Sequence, residues 1–146
     1  MSKVSPVPPG YHTVTPYLIV VGAERLIDFM KRAFDAEEVY RSPKPDGTLG
    51  HCQVRIGDSM VELADGNEQW KPKTCVLHLY VPDADAIYAK AIAAGATSLF
   101  EPADTFYGDR SGGVEDPCGN HWYIATRQEE LSKEEVERRA KAAGKG

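Results

Sequence analysis

Apolar residues rise and alternate through residues 13–20, which predicts a first strand. Gly22-Ala23-Glu24 then opens a helix, because Leu26, Ile27, Met30, Ala33 and Phe34 fall at helical spacing. A strand follows at about 37–42, and Pro45-Asp46-Gly47 is a turn signal. Residues 50–56 and 60–65 read as a hairpin around Gly57-Asp58. After a polar linker at 66–73 the same order returns: a strand at 75–81, a helix at 84–95, a short strand near 97–101, and strands near 110–115 and 120–126. The turn Asp116-Pro117-Cys118-Gly119-Asn120 joins the last two. Ser132 with Glu135 forms a capping box that starts a charged helix ending near residue 143. Ahead of all this, residues 1–10 carry three prolines and a glycine and read as an extended arm.

The second half thus repeats the first at an offset of about 61 residues. Tyr17-Leu18-Ile19-Val20 superposes on His78-Leu79-Tyr80-Val81, Gly57-Asp58-Ser59 on Cys118-Gly119-Asn120, and Glu62 on Tyr123. Two copies are too few for a solenoid, which needs about three units to bury a core. The pattern predicts an α+β chain of two modules facing each other across a concave space, the natural place for a site. The expected division is an arm at 1–12, module 1 at 13–66, module 2 at 74–127 and a terminal helix at 131–143.

Strand alternation sorts the side chains into two sets. Cys52, Val54, Ile56, Val61 and Leu63 share a face that must pack on the helix, as do Cys75, Leu77, Leu79 and Val81 in the second module. Trp122 and Ile124 are expected in the core as well. The opposite faces carry Tyr17, His51, Gln53, Arg55, Met60 and Glu62 in module 1, and Val76, His78, Tyr80, His121 and Tyr123 in module 2. Half-solvated antiparallel sheets often look like this. Two such faces, both with titratable and aromatic groups, favour a lined ligand pocket instead.

Composition narrows the classes. The chain has 146 residues, a net charge of −5 and no basic patch interleaved with aromatics, so nucleic acid is not an expected partner. An acidic balance suits a cationic ligand. Three cysteines do not make a disulfide scaffold, and a reducing cytoplasm is the expected location. The first ten residues lack a signal-peptide apolar stretch, and no run reaches the roughly 20 apolar residues of a membrane span. Ser-His-Asp order, phosphate-binding loops and dinucleotide fingerprints are lacking.

Three stretches carry a family resemblance: Tyr11-His12-Thr13-Val14-Thr15-Pro16-Tyr17-Leu18, Gly50-His51 through Ile56-Gly57-Asp58-Ser59, and Tyr107-Gly108-Asp109-Arg110-Ser111-Gly112. With the duplicated strand-helix-three-strand unit they make residues 11–140 similar to the vicinal oxygen chelate superfamily, which contains glyoxalase I, bleomycin-resistance proteins, fosfomycin-resistance enzymes and extradiol dioxygenases. The chain is most similar to its PhnB-like branch. The resemblance implies two tandem βαβββ modules forming a curved mixed sheet around a central cavity, and a homodimer. It also implies metal ligands on the first and last strand of each module, at positions that here hold Thr15, Glu62, Val76 and Tyr123. Only Glu62 is a usual ligand, and Val76 cannot ligate at all. A displaced site from His51, Glu62, His78 and His121 is the alternative, suited to a divalent transition metal.

Two functions follow. One is a metal-independent protein, with no cofactor, that binds a small molecule between its modules. The other is a metal-dependent lyase, isomerase or dioxygenase using the displaced site. Glu62 is the candidate general base; its plainer role is pairing with Arg55 or bonding to Gln53. Arg110 could clamp an anionic group or pair with Asp109 or Asp116. Tyr17, Tyr80 and Tyr123 could line a flat or cationic ligand. Cys52 and Cys75 read as buried hydrophobes, Cys118 as an exposed turn residue, and His12 as structural or exposed.

Overall fold

The computed structural model of the chain describes residues 3–144. Residues up to Cys75, together with Pro117–Gly119, form one compact unit; Val76–Asp116 with the residues from Asn120 onward form a second. The first contains β1 (Tyr17–Val20), α1 (Ala23–Phe34), β2 (Glu37–Pro43), β3 (Leu49–Ile56) and β4 (Ser59–Asp65). The second contains β5 (Val76–Tyr80), α2 (Ala84–Ala93), β6 (Thr97–Asp104), β7 (Asp109–Glu115) and β8 (His121–Arg127), followed by α3 (Lys133–Ala142). This is the α+β plan of two βαβββ modules and a terminal helix.

Each module makes its own four-stranded mixed sheet, in the order β1-β4-β3-β2 and β5-β8-β7-β6. The repeat holds down to register. Parallel β1 and β4 pair Tyr17 with Glu62, and parallel β5 and β8 pair His78 with Tyr123, the same positions about 61 residues on. A helix between the first and last strand of a module lets those strands run parallel side by side, as any parallel pair requires.

Unit 1 builds its core as the alternation predicts. Cys52, Val54, Val61 and Leu63 are buried on the sheet face that meets α1, with Ile56 at its margin. The helix supplies Leu26, Ile27, Phe29, Met30, Ala33 and Phe34. Full burial of a Leu, Ile, Phe or Met side chain contributes roughly 1.5–3 kcal/mol, so this stripe is the main stabilising element. Unit 2 differs. Its helix α2 buries only Ala84 and Ala91, and the core rests on Trp122, Ile124 and Val114. The face expected from Cys75, Leu77, Leu79 and Val81 is only half-buried, because the small alanines of α2 cover little of it.

Three further expectations need correction. Strand 1 does not begin at residue 13: Val14 is 83% exposed and pairing starts at Tyr17. Pro16 lacks an N–H, and its carbonyl accepts the Glu62 N–H as the last backbone bond before the chain leaves the sheet. The arm is not extended throughout. Tyr11 N–H bonds to Pro8 O across Pro9-Gly10, with Gly10 at φ 82°, the type II turn that a Pro-Gly pair favours. Met60 is buried despite standing on the mixed face.

The helix starts are capped in different ways. Gly22, at φ 92°, has no side chain to cap α1, so Asp65 does it from the end of β4. Asp65 Oδ1 accepts from the N–H groups of Gly22 and Ala23, while Oδ2 accepts from Leu49 N–H. One carboxylate ties the helix, β3 and β4 together. In unit 2 Asp83 caps α2 in the ordinary way, and Thr126, at the Asp65 position of the repeat, bonds Ala84 N–H and Val81 O. Ser132 caps α3 by accepting from Glu135 N–H.

Candidate functional site

The face of the first sheet turned away from α1 carries Tyr17 and Ile19 on β1, opposite Glu62 and Ala64 on β4. Next to them stand His51 and Gln53 on β3. Tyr17 Oη lies 3.2 Å from His51 Nδ1, and His51 Nε2 lies 3.5 Å from Glu62 Oε1. Tyr40 brings its ring to 6.2 Å from the His51 ring. The Pro-Gly turn swings Tyr11 against Glu62. There its buried hydroxyl makes no hydrogen bond of ordinary geometry among the described residues, and burial together with the neighbouring carboxylate pushes the phenol up to about 12. Burial, then the Glu62 charge, raises Tyr17 also.

Beside this cluster is a cavity of about 680 Å³, well within the range of small-molecule sites. It is lined by Tyr17, Ile19, Gly50, Ala64 and Asp65 on the strands, by Lys44, and by Asn67, Gln69 and Trp70 of the linker. Gly50 makes room for Lys44: a Cβ there would stand 3.2 Å from Lys44 Cε. The linker at 66–73 is pinned. Asn67 Oδ1 accepts from the N–H groups of Gln69 and Trp70, Asn67 N–H bonds to Trp70 O, and Lys73 N–H bonds to Ile19 O. Pro72 packs on Gly66, where a Cβ would come within 2.6 Å of the ring. The loop therefore holds the backbone that carries Trp70, 59% exposed, beside the cavity.

The matching face of the second sheet is aromatic. His78 lies 4.8 Å from Tyr80 and 6.4 Å from Tyr123 by ring centroid, and Tyr123 lies 5.7 Å from Phe100. Phe100 covers Gly113, where a Cβ would meet ring carbon at 2.4 Å. Tyr80 donates to buried Asp109 at 2.9 Å, and that bond, with burial, raises the Tyr80 phenol. Asp116 anchors the last turn: its carboxylate accepts from Trp122 Nε1 at 2.7 Å and from the backbone and side chain of Asn120.

The sequence-derived site residues thus meet varied partners. Tyr17, His51 and Glu62 come together in unit 1. Gln53 is half-buried beside Glu62, while Arg55 pairs with Glu37 at 2.9 Å and not with Glu62. His78, Tyr80 and Tyr123 share the second face, whereas His121 pairs with Glu115 at 3.1 Å. Arg110 bonds neither Asp109 nor Asp116; it spans Asp85 at 2.7 Å and Asp104 at 3.2 Å, which hold it firmly charged. Cys118 is half-buried, its thiol 3.4 Å from Val21 O. His12 is exposed. Tyr11, Tyr40, Lys44 and Trp70 were not singled out from sequence. Pro9-Gly10 signals the turn that delivers Tyr11; the others sit on loops or bulged strand, where period-two reasoning gives no direction.

The family positions do not fit a metal. Thr15 lies outside the strand, Val76 has no donor atom, and the Tyr123 ring packs between His78 and Phe100. Among the described residues no three His, Cys, Asp or Glu side chains stand together as a metal-holding group, and none of the displaced-site residues is grouped in that way.

The fold and these faces define a class: small α+β proteins of paired βαβββ modules, each with a polar, aromatic sheet face. The chain belongs to the Glyoxalase/Bleomycin resistance protein/Dioxygenase superfamily, whose model matches residues 11–124. An uncharacterized protein of Mycobacterium tuberculosis H37Rv, Rv0887c, is 36% identical over 144 residues, covering 91% of this chain and 85% of its own. Among solved structures, TioX from Micromonospora sp. ML1 is similar with a TM-score of 0.67 at 23% identity, covering 80% of this chain and 98% of its own. TnmS3, an antibiotic binding protein from Streptomyces sp. CB03234, has a TM-score of 0.64 at 23% identity, with 80% and 96% covered. At these identities the two structures share the fold.

Proposed function

We propose that the protein binds a flat organic small molecule on the mixed face of its first sheet, without the superfamily's usual metal. The observation that carries this reading is the cavity of about 680 Å³ walled by Trp70 and Tyr17. An aromatic side chain on a pinned loop is suited to stacking, and stacking needs no metal. The antibiotic-binding TnmS3, with the same fold, supports the reading by analogy. The net charge of −5 favours a cationic ligand over an anionic one; the lining itself is balanced, with Lys44 against Asp65. The PhnB-like placement, a homodimer and a cytoplasmic location belong to the same proposal. They rest on the quoted motifs, on the family's habit of pairing, and on a chain with three cysteines.

Titration of cationic aromatic compounds, bleomycin among them, with tryptophan fluorescence and calorimetry tests the reading. Trp122 is buried, so quenching reports Trp70. Saturable quenching that vanishes in Trp70→Leu is expected. Absence of binding across the panel, together with about one transition metal per chain in untagged protein, would replace the reading with the metal-dependent enzyme.

A further inference from the structure

The cluster behind the cavity has a direction. Glu62 is a pure acceptor when ionised, and Nε2 is the imidazole nitrogen that faces it, at 3.5 Å, so this contact favours the hydrogen on Nε2 in neutral His51. Nδ1 is then a lone pair, and the atom 3.2 Å from it is the Tyr17 hydroxyl. In that tautomer the phenol donates its only proton to Nδ1. Tyr17 lines the cavity, and what remains for the cavity is an oxygen with lone pairs and no hydrogen.

We infer that Tyr17, oriented by His51 and Glu62, is the specificity-determining residue of this cavity, and that it selects flat aromatic ligands bearing an exocyclic N–H or O–H donor over ligands of the same shape whose exocyclic donors are methylated. The inference rests on the proposed small-molecule site and names its ligand class. Trp70 supplies stacking that every flat ligand shares, and Tyr17 supplies the discrimination. Lys44 on the lining is a donor only and cannot reward a donor on the ligand, whereas the Gln69 amide oxygen can accept, and Tyr17→Phe separates its contribution from that of Tyr17. The side chain of Asp65 already accepts three backbone N–H bonds.

The test compares proflavine with acridine orange, the same planar cation with its exocyclic N–H groups replaced by methyls. Both are titrated into the full chain at pH 8. Proflavine is expected to bind about fivefold tighter, the worth of one net hydrogen bond. Tyr17→Phe removes the acceptor and should bring the ratio close to one while acridine orange affinity stays within about twofold; His51→Ala leaves a hydroxyl that can donate or accept and should lower the ratio only in part. A nitrogen-detected spectrum of the imidazoles gives a second readout, independent of any ligand: His51, identified by its loss in His51→Ala, should show the Nε2–H tautomer. Equal binding of the two dyes, a preference that survives in Tyr17→Phe, or an Nδ1–H tautomer for His51 would overturn the inference. Equal binding with Trp70 quenched would leave the binding site standing. If neither dye binds, the inference falls and the wider panel decides the site.

Discussion

At the scale of single residues the strongest constraints are buried polar groups with every bond placed. Asp116 satisfies Trp122 Nε1 and both Asn120 donors in the interior. Asp116→Ala would remove the acceptor of these bonds, and loss of roughly 2–4 kcal/mol of unfolding free energy is expected in urea melts. Gly113→Ala acts through space instead. Its Cβ would fall 2.4 Å from the Phe100 ring, so the ring must move off the Tyr123 face. A cost of about 1–3 kcal/mol is expected from thermal denaturation. Neither residue was legible as an anchor in the sequence. An Asp before a Pro reads as a turn former, and that the Trp122 indole reaches back to it depends on the packing of β7 against β8.

At the scale of elements, helix starts show how the two modules diverge under a common plan. Asp65 serves α1, β3 and β4 at once, whereas Ser132 serves one helix that buries no residue. Asp65→Ala should therefore cost the global unfolding transition at least 2 kcal/mol, about that of a strong cap plus a stranded N–H. Ser132→Ala should lower helical circular dichroism slightly and leave the main transition within about 0.5 kcal/mol. The elements themselves were readable. The alternation of Cys52, Val54, Val61 and Leu63 and the helical spacing of Leu26, Ile27, Met30 and Phe34 repeat in the structure as one packed layer. The prediction failed at residues 13–16, where alternation continues past the point at which Pro16 ends pairing.

For the whole molecule, linked proton binding sets the pH limits. Arg138 and Arg139 hold Glu135 down at about 2, Arg41 lowers Glu38, and Arg110 lowers Asp85. Each folded-state value lies below the unfolded one, so the stability these pairs contribute is present above the unfolded values and lost as pH falls through the folded ones. Fading of α3 circular dichroism between about pH 4.5 and pH 2 is expected in an acid titration. Tyr11 lies at the other limit. Its phenol is raised to about 12, so the stability it contributes is present below pH 10 and lost as pH climbs toward 12. Tyrosinate absorbance at 295 nm should show a late fraction that moves back toward pH 10 in Glu62→Gln. Light scattering with and without residues 129–146 checks the proposed homodimer and whether α3 takes part: a mass near 32 kDa that halves on truncation is expected if the helix covers the partner, twice the 16.0 kDa chain.

The sequence by itself determined the two-module plan, the order of elements, the helix-facing sets of unit 1 and the two polar faces, because hydrophobic periodicity and turn chemistry act over a few residues at a time. Tertiary structure alone decided which polar groups meet. The cross-strand register puts Glu62 beside Tyr17, the Pro-Gly turn brings Tyr11 in from the arm, and the pinned loop sets Trp70 at the cavity. Arg55 and Arg110 went to carboxylates on other elements because ion pairing follows distance in space, and distance in space is what a local pattern does not contain.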